Sequence, residues 1–216
     1  MEKSRESEMT LFRGLTEKEQ NHILKCLSAV ERRYRKGDTV LHAGTVTTAM
    51  GLVTEGAVEI IRDDIWGNRQ VLGAAGPGDL FGESYACSMG EPLTVTVTAS
   101  ENSSVLFLET GKILTTCSPA CEFHSRLIRN LLYILARKNL TLTRKIDHMS
   151  RRTIREKVMA YLSFQAEIKN TRTFTIPFNR QQLADYLSVD RSALSAELSR
   201  MQRDGVITYE KNKFTI

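Results

Sequence analysis

A chain of 216 residues with 41% hydrophobic content can bury a real core and suits one large or two modest domains. It contains no run of about 18 apolar residues, and its opening MEKSRESEMTLF is charged, so neither a membrane helix nor a secretory leader is expected and the cytoplasm is the expected compartment. The formal excess of +5 is uneven: residues 1–144 hold 17 Lys+Arg against 17 Asp+Glu, and residues 145–216 hold 13 against 8, which favours two domains and directs a polyanion to the last third.

Four cysteines, Cys26, Cys87, Cys117 and Cys121, are too few and too dispersed for a disulfide scaffold and are expected as thiols. The motifs that would argue for an enzyme, a Gly-x-Ser-x-Gly elbow, a Walker loop or a His-Glu-x-x-His pair, are absent from the sequence.

In chain order, the first clear element is a short helix opening at Thr16, with Thr16 as cap, Glu19 as its capping-box partner and Ile23, Leu24 and Leu27 as an apolar stripe for packing. From Tyr34 to Leu108 the texture turns to short β-branched runs: Thr39-Val40-Leu41, Gly51-Leu52-Val53, Ala57 to Ile61 and Val95 to Thr98. Ten of the 13 glycines lie between Gly37 and Gly90, where they punctuate those runs as turns. A β-barrel or jelly roll is expected. Trp66 falls at an expected hairpin tip, where a lone aromatic packs or meets a partner.

After Gly111 and Pro119, Glu122 to Lys145 reads as one long helix. Ile128, Leu135, Leu142 and Met149 repeat every seven residues, with Leu131 and Leu132 between them, a pattern that suits a seam between two parallel helices. Lys138 and Lys145 at the second heptad position argue against a strict coiled coil and leave open that the helix lies on its own barrel. Asp147 to Arg151 is the expected hinge beyond it.

Cys117, Cys121 and His124 stand four and three residues apart, a spacing that offers thiolates and an imidazole to zinc or iron if one helix carries all three. Pro119 interrupts that helix, and ordinary thiols without a ligand are the alternative, so no metal or cofactor is assigned. His22, His42 and His148 are isolated and read as surface or satisfied core residues.

The last segment is the most informative. Asn179 caps a helix through Leu183, Ala184 and Leu187, with Gln182 as box partner. Ser188-Val189-Asp190 breaks it, and Asp190 caps a second helix with Leu194, Leu198 and Met201 on one face. Arg191, Ser192, Ser195 and Ala196 are left outward. Gly205 supplies a left-handed stop, and Val206 to Tyr209 followed by Lys213 to Ile216 reads as a two-stranded ribbon. This describes a winged helix-turn-helix, although an ordinary helical hairpin with a solvated basic face has the same spacing. The start of a second helix in this motif enters the major groove, where arginine donates to guanine O6 and N7. Arg191 is the leading base reader, with Gln181, Ser192 and Ser195 beside it, and Arg180, Arg200 and Arg203 are expected on phosphates.

A small β-domain, one long helix and a winged helix-turn-helix, with Lys36-Gly37-Asp38, Glu55-Gly56-Ala57-Val58-Glu59 and Gly76-Pro77-Gly78-Asp79-Leu80-Phe81-Gly82-Glu83 in register, resemble the cyclic-AMP receptor and fumarate-nitrate regulator (CRP/FNR) family of bacterial transcription factors. The resemblance implies an α+β chain with a cyclic-nucleotide-binding-like β jelly roll (1–121), a long dimerisation helix (122–146) and a winged helix-turn-helix (147–216). It implies a homodimer on a palindromic double-stranded DNA operator, a small effector and RNA polymerase as partners, and no membrane. It also implies that Phe81-Gly82-Glu83 opens the cassette that holds phosphate and ribose in nucleotide-binding members.

That cassette places an arginine about ten residues after the glutamate, and here Leu93 and Thr94 stand in its place. A phosphate there would lack its counter-charge, so a different effector, or none, is expected. The effector candidates are Gly82, Glu83, Ser84, Tyr85, Met89, Leu93 and Thr94, with Leu135, Thr141 and Thr143 on the long helix. A nucleotide-binding regulatory module and a thiol- or metal-based redox sensor of the same family are the alternatives. The family's oxygen sensor uses an N-terminal cysteine cluster, and residues 1–25 hold no cysteine.

Overall fold

The computed structural model describes residues 11–64, 66–88, 90–115 and 122–216. The chain divides into two compact units, one ending at Leu135 and the other running from Ala136 to Ile216.

In the first unit, helix α1 (Glu17–Cys26) begins with the expected reciprocal cap: the Thr16 hydroxyl accepts from the Glu19 amide, and the Glu19 carboxylate accepts from the Thr16 amide at 2.6 Å. Strands β1 (Val30–Tyr34), β2 (Thr39–Leu41), β3 (Ala49–Glu55), β4 (Val58–Asp63), β5 (Arg69–Ala75) and β6 (Leu80–Phe81) follow. After helix α2 (Glu83–Cys87) come β7 (Thr96–Ala99), β8 (Ser103–Glu109) and helix α3 (Thr110–Leu114). The strands form two four-stranded antiparallel sheets, in the orders β1-β8-β3-β6 and β2-β7-β4-β5.

Strand β7 alternates half-buried and buried residues, the period-two pattern of a strand with one face inward. Val53, Val58, Phe81, Val97 and Val105 fill one core. Gly51 is required there, because a Cβ at this position would stand 2.2 Å from the Phe81 ring. A second core gathers Ile23 of α1 and its C-cap Leu27, Met50, Leu52 and Leu108 of the sheet, Ile113 of α3, and Leu127 and Leu131 of helix α4 (Glu122–Ser150).

Helix α4 is 29 residues long and runs on past Lys145 to Ser150. Most of the expected hinge segment, Asp147 to Ser150, is therefore helical, and the chain leaves the helix at Arg151-Arg152-Thr153. His148 is buried and Arg151 bonds Asp147 at 2.7 Å one turn back, which together keep the last turn helical. Leu131 and Leu132, which both fill the gap between the heptad positions in the sequence, part company in the structure. Leu131 is buried against the β-domain and Lys145 lies over the Tyr186 ring, whereas Leu132, Leu142 and Ile146 are exposed. The outward row is thus Leu132, Asn139, Leu142 and Ile146, while Leu135, in line with them, is half-buried against the β-domain core.

The second unit holds helix α5 (Ile154–Lys169), β9 (Thr173–Thr175), α6 (Arg180–Leu187), α7 (Arg191–Arg203), β10 (Thr208–Glu210) and β11 (Lys213–Thr215). Helix α5 has no strong amphipathic stripe and was not singled out in the sequence; a Thr153–Glu156 capping box starts it. The expected two-stranded ribbon is a three-stranded sheet in the order β10-β11-β9, since Thr173 to Thr175 pairs with β11 along its free edge. Val158, Leu162, Leu183, Leu187, Leu194, Leu198, Met201 and Phe214 form its core.

Candidate nucleic-acid interface and effector cassette

The turn between α6 and α7 is built by local side-chain chemistry. Asn179 and Gln182 form the reciprocal cap of α6, each bond 2.9 Å long. Ser188 closes that helix in the left-handed region at φ 50°, and Asp190 accepts from the Ala193 amide at 2.8 Å to open α7. The three hydrophobic anchors Leu194, Leu198 and Met201 are fully buried. At the far end Gly205 adopts φ 72°, and the amides of Gly205 and Val206 return to the carbonyls of Gln202 and Met201.

Anchoring one face of α7 fixes what the other presents. Arg191, Ser192, Ala196, Ser199, Arg200 and Arg203 are exposed and Ser195 is half-buried. The Ser192 hydroxyl bonds the Asp190 carboxylate, and the Ser195 hydroxyl donates to the Arg191 carbonyl at 2.9 Å. Arg191 stands in the first turn with its guanidinium at the surface. Gln181 is exposed on α6 and donates to Asp185 at 2.8 Å.

Arg180 is more tied down than its sequence position suggests. Its guanidinium stacks 4.9 Å over the Tyr209 ring of β10, and burial lowers its pKa. Ser199 and Gln202 share the exposed face of α7 and were missed, since nothing but their register with Ser195 marks them in the sequence.

The junction of α4 with this unit is an aromatic box. His148 Nδ1 lies 2.9 Å from the Tyr186 hydroxyl, with the rings of Tyr161 and Phe164 at 5.6 and 5.5 Å and Arg144 over Phe164. Burial holds the imidazole below the usual histidine range, with Arg151 and Arg144 adding to the effect and Asp147 opposing it. The His148–Tyr186 bond ties the end of the long helix to α6. His148 is therefore a satisfied core residue; His22 and His42 are exposed.

In the first unit, Gly82 caps α2 with φ 71°, a conformation that glycine alone adopts at no steric cost. Glu83 is buried, Ser84 is exposed and Tyr85 is half-buried. Leu93, where the resemblance calls for an arginine, is 2% exposed. The Thr94 hydroxyl lies 2.6 Å from the Tyr85 hydroxyl, which also accepts from the Thr94 amide. The Thr94 groups that would meet a phosphate are thus bonded to the chain itself. Leu135 packs against the β-domain core. Thr141 and Thr143 are exposed, and their hydroxyls donate to carbonyls four residues earlier on α4.

Met89, Cys117 and Cys121 lie outside the described residues, and His124 is buried on α4. Trp66 projects from the β4–β5 hairpin tip, 80% exposed.

The cyclic nucleotide-binding domain family matches residues 31–118. The Crp-like helix-turn-helix domain family matches residues 156–216. The chain belongs to the CRP/FNR family of transcription regulators. It is similar to the transcriptional activator protein FnrL of Cereibacter sphaeroides, 26% identical over 196 residues that cover 86% of this chain and 75% of that one. It is also similar to the cyclic AMP receptor protein of Thermus thermophilus, 28% identical over 202 residues covering 91% and 87%. Among solved structures, the catabolite activator protein of Thermus thermophilus shares the fold, with a TM-score of 0.51 at 23% identity over 95% of this chain and 92% of that one.

This CRP/FNR chain therefore pairs a cyclic nucleotide-binding-like β-domain with a DNA-binding helix-turn-helix, and the two relatives just named, matched over most of its length, are regulators, not enzymes. Among the described residues no helix is long and apolar enough to cross a membrane.

Proposed function

We propose that the chain acts in the cytoplasm as a homodimer that sets two copies of α7 on a palindromic DNA operator, under control of an effector other than a cyclic nucleotide, with RNA polymerase as a further partner. The observation that carries this reading is the surface of α7: three fully buried anchors on one face and a polar face with Arg191 in its first turn on the other. Arg191 reads a base, while Arg200 and Arg203 meet phosphates and Gln181, Ser192 and Ser195 line the groove. Arg180, stacked on Tyr209, braces the wing as much as it contacts the backbone. Arg191→Ala is expected to cost about 1–3 kcal/mol of operator affinity and to relax preference at one base pair per half-site. Binding measured across single-base operator variants checks this, and an unchanged preference contradicts it.

The dimer reading rests on the outward row of α4. Leu132, Leu142 and Ile146 are large apolar side chains left exposed in one protomer, at heptad spacing. A second copy of the same helix covers them, and Asn139 in that row is the kind of polar residue that fixes a two-stranded register.

Leu93 and the Tyr85–Thr94 bond support an effector that is not a cyclic nucleotide, because a phosphate in the cassette would meet a buried leucine where it needs a cation. Gly82 and Glu83 then serve as a structural turn, and Ser84 and Tyr85 remain the candidate effector contacts of the β-domain. Cyclic AMP and cyclic GMP at millimolar concentration are expected to leave both the melting temperature and operator affinity unchanged. A ligand at about 100 times its Kd would stabilise the fold by about 2.7 kcal/mol, several degrees of melting temperature for a chain of this size. A shift of that size contradicts the reading.

A further inference from the structure

The recognition helix carries an ion-pair chain on its flank that its DNA contacts do not explain. Arg155, the second residue of α5, reaches α7 and its C-cap at two points two turns apart: its Nε lies 2.8 Å from Glu197 Oε1 and its Nη2 lies 2.5 Å from Oδ2 of the C-cap Asp204. The other oxygen of Glu197 is not idle. Arg200 Nε approaches Glu197 Oε2 at 3.3 Å, so one carboxylate lies between two guanidiniums. The Glu197 side chain is only 13% exposed, whereas that of Arg200 is 59% exposed. The acid is nearly buried and the arginine reaches the surface. Both carboxylates hold the Arg155 guanidinium above its already high pKa, Asp204 more strongly than Glu197, so it stays charged at every relevant pH.

We infer that Arg155 is a positioning residue for DNA binding: by neutralising Glu197 it releases Arg200 from its own helix and makes it available to a phosphate. This rests on the reading of Arg200 as a phosphate contact. With Arg155 present, Glu197, Asp204, Arg155 and Arg200 sum to zero, and Arg200 loses little by exchanging a shared carboxylate for a phosphate. Without Arg155 the cluster carries one negative charge, Glu197 has a single partner within reach, and the pair Glu197–Arg200 closes. The surface then loses one phosphate contact and gains an acid facing the backbone. The same strap spans two turns of α7 immediately after the 151–153 break, so it also fixes the rotation of the recognition helix on α5.

The test is the salt dependence of binding to a short fluorescent duplex, using the full chain as wild type, Arg200→Met, Arg155→Met, Arg155→Met/Arg200→Met and Arg155→Met/Glu197→Gln. Loss of one phosphate contact flattens the slope of log Kobs against log salt by about 0.9, so a substitution carried by both protomers of the dimer flattens it by about 1.8. Arg200→Met is expected to do this, Arg155→Met to do the same, and the double substitution to go no further; adding Glu197→Gln to Arg155→Met is expected to bring the slope back. Glu197→Gln alone, which leaves Arg155 held by Asp204, keeps the wild-type slope and tightens binding severalfold, and it decides the matter should Arg155→Met not fold. A flattened slope in Arg200→Met beside an unchanged one in Arg155→Met overturns the inference and leaves the phosphate contact standing. An unchanged slope in Arg200→Met overturns the phosphate contact, and the inference with it. Weaker binding by Glu197→Gln overturns the inference alone.

Discussion

Replacing Leu142 and Ile146 together with glutamate is expected to yield a monomer that folds normally and binds a palindromic duplex at least about 100-fold more weakly. Both side chains are well exposed in the protomer, at 59% and 66%, so a carboxylate costs the isolated chain almost nothing. In a two-fold seam the same change faces four carboxylates across an apolar contact, and each unpaired buried charge costs several kcal/mol. That exceeds what a short helical seam gains from burial. A dimer gathers both half-sites in one event, whereas a monomer keeps one set of contacts, and every 1.4 kcal/mol lost is tenfold in affinity. Sedimentation and duplex titration check this together. A variant that still sediments as a dimer and binds like wild type places the interface elsewhere. Leu135, which the heptad repeat alone would select for such a test, is a poorer choice, because it packs on its own β-domain and its loss would disturb folding as well.

Leu198→Ala is expected to destabilise the second unit by about 2–5 kcal/mol, the cost of a leucine-sized cavity that its surroundings do not fill. Leu198 is fully buried between Leu194 and Met201 in the core that joins α7 to α5 and α6. With a typical domain stable by only about 5–15 kcal/mol, this is a large share. Denaturant unfolding followed by far-UV dichroism reads it, and an unshifted midpoint contradicts the assignment of α7's buried face. DNA affinity should fall alongside stability, in contrast with Arg191→Ala, which leaves stability intact.

The parts of this architecture that were legible in the sequence are those specified by neighbours along the chain. The caps at Thr16, Asn179 and Asp190, the left-handed stop at Gly205 and the anchors Leu194, Leu198 and Met201 depend on spacings of three and four residues, and all stand in the structure as read. What was not legible depends on long-range choices. Strand β9 is three residues long and exists because the edge of β11 was open to it. The sequence puts Lys138 and Lys145 at the second heptad position and leaves both Leu131 and Leu132 between the repeats, because a heptad written from Ile128 allows that position at either three or four residues on. Only burial separates the two leucines: Leu131 packs in the β-domain core and Leu132 is exposed. Arg155, Glu197 and Asp204 lie 42 and 49 residues apart in the chain, and no local pattern joins them. In the cassette the sequence marked Leu93 as the wrong residue for a phosphate; that Tyr85 bonds Thr94 could be learned only from the fold.

The central claim, that two recognition helices of a dimer read a two-fold operator, is tested most directly by selecting bound sequences from a random duplex library with the purified chain. The account predicts one enriched motif of two inverted half-sites with centres one helical turn apart, about 10–10.5 base pairs, or a multiple of it. Enrichment of a single unpaired half-site, or of no sequence at all, would contradict it.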